Sequence, residues 1–151
     1  EIAKLIDNTR QLDIQYIKGE YYSYSGKEHI SHLIYPVPGK LSLGLHATLD
    51  LGRGIKFGPS AVETKKLDYK VEEENKMDFV KSLQQYWPSI QENNLSPDYS
   101  GIRAKVRGAE DFNIEKLDSK NKIAINIIGY ISPGLTSSLA LGVKIADLVK
   151  S

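Results

Sequence analysis

Residues 122–137, KIAINIIGYISPGLTS, pass from a nearly unbroken apolar run into a helical pattern across a single Pro-Gly break. Such a run, bounded by Gly129, fits a strand buried on both faces, as in the sheets of α/β proteins. Beyond the break Leu135, Leu139, Gly142, Ala146 and Val149 fall on one stripe. Residues 135–149 are therefore expected as a helix, packed so closely at Gly142 that no side chain fits there. The helix entry has two readings that spacing does not separate. Ser132 can cap, Pro133 suits the first turn, and the hydroxyls that follow can satisfy first-turn N–H groups. A helix N-terminus behind a buried strand can also receive an anion or a dipole.

The chain ahead of this unit alternates instead. Leu12, Ile14 and Tyr16, then Tyr22 and Tyr24 beyond Gly19, follow the strand period of two, as one bent strand or a pair. A short strand is expected at 32–35, stopped by Pro36 and Pro38, which supply no ladder donor. Leu43, Leu45, Ala47 and Leu49, a turn through 50–54, then Ile55 and Phe57 make a hairpin signal. Gly44, His46 and Thr48 share the opposite face, which is either solvated or lines a site. Met77, Val80, Leu83 and Trp87, spaced by three and four, predict an amphipathic helix within 71–87 that Pro88 ends. Residues 99–106 and 111–117 read as further strands. The fold class is α+β: antiparallel sheet with one long helix, followed by a terminal strand, turn and helix of α/β character.

At 151 residues the chain is about one domain, and 40% hydrophobic content supplies a core. The 20 basic and 19 acidic residues leave a formal charge of +1, so nothing marks a surface built for nucleic acid or an anionic membrane. Glu72, Glu73 and Glu74 suit the positive end of a helix dipole. The absence of cysteine rules out disulfides, thiolate metal sites and a cysteine nucleophile. No apolar stretch approaches the ~20 residues of a membrane span, and no secretory leader pattern opens the chain. The default compartment is the cytoplasm. The chain opens on Glu1 with Met77 its one methionine, which predicts a piece of a longer protein.

The glycines do not form a phosphate-cradling loop: Gly52, Gly54 and Gly58 have the wrong spacing inside a hairpin, and 39–44 lacks a following Lys-Ser/Thr. His29 and His32 lie three apart in a segment that reads extended, with no carboxylate to complete a metal set, so no metal is expected. His46 carries the side chain best suited to move a proton near neutral pH, although a strand histidine taken alone is more often structural. Arg103 alternates with Lys105 in SGIRAKV. A guanidinium fork suits a carboxylate, and an ordinary surface face of a strand also accounts for both cations.

Taken in order, YYSYSG, HLIYPVPGKLSLGLHATLDLGRGIKFGPSAVE, the helix ending QQYWPSI, YSGIRAKV and IIGYISPGLTSSLALGVKIADLV resemble the C-terminal half of FAD-dependent oxidoreductases of the D-amino-acid-oxidase-like superfamily. The nearest resemblance is to the branch that contains L-2-hydroxyglutarate dehydrogenase, over roughly residues 14–150. It implies that 1–120 is a substrate-binding domain, mostly antiparallel sheet. It implies that 121–151 supplies the last strand and helix of an FAD-binding domain whose N-terminal dinucleotide-binding unit is missing here. FAD is then the cofactor of the full-length protein, not expected to be retained by this piece, which alone is expected to be inactive.

The resemblance also implies roles. Arg103, in G-I-R, matches the arginine that holds the substrate carboxylate, with Lys105 as helper. His46, in G-L-H-A-T, matches a histidine that accepts the hydroxyl proton while hydride leaves the adjacent carbon for the flavin. Gly134, Leu135 and Thr136 match the turn whose N–H groups approach the flavin pyrimidine ring, where a helix N-terminus stabilises the reduced anion. Tyr24 and Tyr35, with Tyr22, line the pocket. Ala104 stands where relatives usually carry proline. The implied reaction is oxidation of a 2-hydroxy acid such as 2-hydroxyglutarate, and the implied partner is a small carboxylate, with no nucleic acid and no integral membrane segment. Two other readings are an FAD-dependent amino-acid oxidase or dehydrogenase and a non-catalytic α+β module that binds a small carboxylate. A 122–130 strand without parallel neighbours further predicts self-association of the piece.

Overall fold

The computed structural model describes residues 11–37, 44–119 and 122–150. The elements in order are strands β1 (Ile14–Tyr24), β2 (His46–Leu49), β3 (Ile55–Gly58) and β4 (Val62–Thr64), helix α1 (Lys76–Leu83), strands β5 (Leu95–Val106), β6 (Asn113–Ser119) and β7 (Lys122–Ile128), and helix α2 (Gly134–Lys150). The chain divides into two compact units, Tyr16–Arg103 and Glu1–Gln15 with Ala104–Ser151. This boundary differs from a division at residue 120. Strand β6 pairs with β7 along its whole length, from Asn113↔Ile128 to Ser119↔Lys122, and so joins the terminal strand and helix.

The Tyr16–Arg103 unit is built on β1, a single strand. Strand β3 meets its second half (Tyr22↔Phe57), β4 meets its first half (Tyr16↔Thr64), and β5 also pairs with it. Strand β2 extends the sheet beyond β3. The β2–β3 hairpin closes as its residues dictate: Asp50 accepts from Arg53 N through its carbonyl (2.9 Å) and from Gly54 N through Oδ1 (2.8 Å). Arg53 adopts a left-handed φ of 63°. Period two then sends Tyr22, Ala47, Ile55 and Phe57 to one face, where Phe79, Val80 and Leu83 of α1 complete the core with Ile90 and Leu95. Each buried Val, Leu, Ile or Phe side chain among them contributes ~1.5–3 kcal/mol.

Two segments are shorter than the sequence suggests. Residues 32–35 form one isolated bridge, Ile34↔Ala47, because Pro36 cannot continue a ladder. A 3₁₀ turn at Glu73–Asn75 precedes α1, which ends at Leu83 instead of Trp87. The amides of Tyr86 and Trp87 both turn back to the Leu83 carbonyl, and Phe79 fills the core position expected of the exposed Met77. The readings on Pro38, Gly39 and Leu43 lie outside the described residues.

In the second unit, β7 is not buried on both faces. Its sheet has two strands, so Ile123 and Ile127 remain exposed. Nor is α2 packed closely at Gly142: a Cβ built there meets nothing within 4 Å, and Leu135 and Leu139 are 91% and 86% exposed. Nor do the Ser137 and Ser138 hydroxyls serve the first-turn amides. Ser137 Oγ donates back to the Pro133 and Gly134 carbonyls, and Ser138 Oγ to that of Leu135.

Candidate functional site

The face of the five-stranded sheet turned away from the core carries the residues with chemistry. Directly opposed residues of an antiparallel pair share a face, and His46 lies opposite Gly58. The Tyr21 ring occupies the space a side chain at 58 would need, with its Cδ1 only 2.6 Å from a Cβ built there. His46, Gly58 and Tyr21 therefore stand side by side on this face. Tyr21 stacks on Tyr99 of β5, with centroids 4.6 Å apart and planes 16° apart. Tyr35 covers the His46 ring, centroid to centroid 4.0 Å. His46 is thereby only 8% exposed, neither solvated nor part of the apolar core.

On β5, Tyr99, Gly101 and Arg103 follow one another at period two. Arg103 reaches across Gly19, with Nη2 3.6 Å from where a Cβ would stand. Its guanidinium also acts on Tyr21. Burial raises the Tyr21 pKa, the Tyr99 hydroxyl adds to that, the Arg103 charge opposes it, and Tyr35 adds again. Tyr21 thus remains a protonated hydrogen-bond donor beside a cation. Further along the face, Lys56 binds Asp98 at 2.7 Å and lies 5.2 Å from the Tyr99 ring centroid. Its charge is committed to Asp98, whose hydrogen bond raises the Lys56 pKa. Arg103 is exposed and, among the described residues, has no such carboxylate partner. Tyr35 also lines a cavity of about 790 Å³ with Leu45, Pro59, Phe79, Gln85 and Tyr86.

The structure thus brings His46, Tyr35 and Arg103 to one face and adds Tyr21 and Tyr99. Tyr24 belongs to the other side of β1. Its ring packs on Phe57 and Trp87, and its hydroxyl donates to Glu28. Lys105 and Gly134–Thr136 lie in the second unit. There Gly134 N donates to the Ile131 carbonyl, and Ser137 N is the next amide of α2 to bond back one turn, to Pro133 (3.0 Å). Leu135 and Thr136 supply the exposed first-turn donors that a helix cannot satisfy itself. Tyr21 has a sequence signal, since alternation that buries Tyr22 must turn Tyr21 the other way. Its company with His46 depends on strand pairing.

A family model described as DAO, FAD dependent oxidoreductase, matches residues 1–148. The chain belongs to this family. Within it, the chain is 35% identical to the mitochondrial L-2-hydroxyglutarate dehydrogenase of Arabidopsis thaliana, over 87% of this chain and 31% of that protein. It is 26% identical to the L-2-hydroxyglutarate dehydrogenase of Indibacter alkaliphilus, over 94% of this chain and 46% of the relative. The fold is also that of dithionite-reduced L-α-glycerophosphate oxidase from Mycoplasma pneumoniae with FAD bound. That match has a TM-score of 0.77 and 20% identity, covering 99% of this chain and 40% of the oxidase. The chain spans less than half the length of each of these relatives. Among the described residues, no helix is long and apolar enough to cross a membrane.

Proposed function

We propose that these residues form the substrate side of an FAD-dependent oxidoreductase that oxidises a 2-hydroxy acid, with 2-hydroxyglutarate as the leading candidate. The observation that carries this reading is the shared sheet face of His46 and Arg103, an imidazole and an exposed guanidinium flanked by tyrosine hydroxyls. Arg103 receives the substrate carboxylate bidentately, and Tyr21 and Tyr35 supply hydroxyls around it. His46, oriented by the Tyr35 ring, takes the proton of the substrate hydroxyl. Bound FAD supplies the two-electron acceptor. Tyr16–Arg103 serves as the substrate unit in this reading, and the terminal strand and helix serve the cofactor. The exposed first-turn amides of Leu135 and Thr136 suit an electron-rich ring edge, whereas Gly134 N is already engaged. Lys105 keeps a secondary role through long-range attraction of the anion, and Tyr24 a packing role.

The test is anaerobic reduction of the flavin in the full-length protein by L-2-hydroxyglutarate, L-glutamate and glycerol 3-phosphate, followed by absorbance. Rapid bleaching by the hydroxy acid alone is the expected result. Bleaching by the amino acid or the phosphate ester instead would replace the proposed substrate, and a full-length protein that binds no flavin would leave a carboxylate-binding module. The cytoplasm is retained as the proposed compartment. Recovery in mitochondria on cell fractionation would overturn that part.

A further inference from the structure

Among the described residues, three glycines inside strands, Gly19, Gly58 and Gly101, lie on the site face, and two have a reason within the fold. A Cβ on Gly19 would stand 2.9 Å from Pro59 Cβ and 3.1 Å from the Ser60 carbonyl oxygen. One on Gly58 would meet the Glu20 carbonyl oxygen and the Tyr21 ring at 2.6 Å, and φ there is +149°. Gly101 has neither reason. It sits inside β5, its φ is not in the left-handed region, and a Cβ would meet nothing within 4 Å. A glycine inside a strand costs stability relative to alanine and often marks close approach by a ligand. This one stands between Tyr99, stacked with Tyr21, and Arg103.

The geometry points to Gly101 as the floor of the substrate site and the residue that sets substrate length: a carboxylate held at Arg103 lays its carbon chain across Gly101 towards the Tyr21–Tyr99 wall. This rests on the carboxylate-binding role of Arg103 proposed above and adds a size rule to it. The distance from residue 99 to 103 along an extended strand is about 13 Å, room for a short chain bearing one or two carboxylates. Lys56 is bound to Asp98, so the wall end offers aromatic surface and tyrosine hydroxyls more than a second free cation.

Calorimetric binding of two unreactive probes, glutarate and acetate, to the full-length flavoprotein tests this without turnover. Gly101→Ala is expected to weaken glutarate by about tenfold and Gly101→Val by more, the scale of a side chain forced into a packed contact. Acetate, too short to cross residue 101, should keep its affinity within about twofold, below what forced contacts cost. The melting temperature of Gly101→Ala should hold or rise. Arg103→Ala should weaken both probes. The inference is overturned by unchanged glutarate affinity in both Gly101 variants, by equal loss for both probes, by a lowered melting temperature in Gly101→Ala, or by failure of the wild type to bind glutarate. Flavin bleaching by hydroxy acids, measured separately, decides the redox reading whatever the calorimetry shows.

Discussion

Arg103 and Tyr86 show how differently two polar residues of the same unit are used. Arg103 is exposed, so its removal should leave stability nearly intact while costing transition-state binding. Arg103→Ala is expected to lower kcat/KM by a factor that corresponds to ~1.5–3 kcal/mol of lost transition-state binding, the scale of a hydrogen bond to a charged group. Steady-state kinetics on the full-length protein check this, and an unchanged value would refute the proposed role. Tyr86 donates to the Leu45 carbonyl at 2.8 Å, and burial pushes its pKa up to about 12. A raised pKa means the folded state holds the proton more tightly, so this contribution is complete below pH 10 and is lost as pH rises towards 12. Tyr86→Phe should cost ~1 kcal/mol at pH 7 and flatten the fall in stability above pH 10. Urea denaturation at pH 7 and pH 11 measures both effects, and parallel losses in wild type and variant would exclude Tyr86 as a source of the alkaline limb.

At the scale of elements, α1 is held by the face it buries. Its eight residues are too few for a stable isolated helix, and Phe79, Val80 and Leu83 anchor it on the sheet. Leu83→Ala should destabilise the protein by ~2–5 kcal/mol, read from the denaturation midpoint. The lead-in to α1 is tied down by Glu20, a buried carboxylate of β1 that meets Lys18 Nζ at 3.1 Å and accepts from Asn75 Nδ2 at 2.7 Å. Replacing it with alanine removes one partner of a buried pair, a change expected to cost ~3–5 kcal/mol. If the midpoint moved no further than for a surface substitution, that role would be excluded.

At the scale of the whole molecule, the second unit exposes apolar side chains on both its helix and its sheet. Leu135, Leu139, Val143 and Val149 on α2 and Ile123 on β7 all stand in the open. Self-association of the 151 residues through these side chains is the expected outcome. Sedimentation velocity across a hundredfold range of concentration should show growing oligomers, whereas a constant monomer would refute it.

The period-two runs through Tyr22, Ala47, Ile55 and Phe57, and the Asp50–Gly54 turn chemistry, were legible because local residues alone decide them. So was family membership, carried by the order of short motifs. The ends of α1 were not legible, because the turn after Leu83 is closed by hydrogen bonds and packing that spacing does not encode. Burial of β7 and α2 is not realised among the described residues for a related reason: an apolar run states a capacity to be buried, and only neighbouring elements realise it. The sequence by itself determined which residues can hold a carboxylate or carry a proton. Tertiary structure decided which of them share a face, because strand pairing alone sets His46 beside Gly58 and Tyr21, brings Arg103 over Gly19, and turns Tyr24 to the other side.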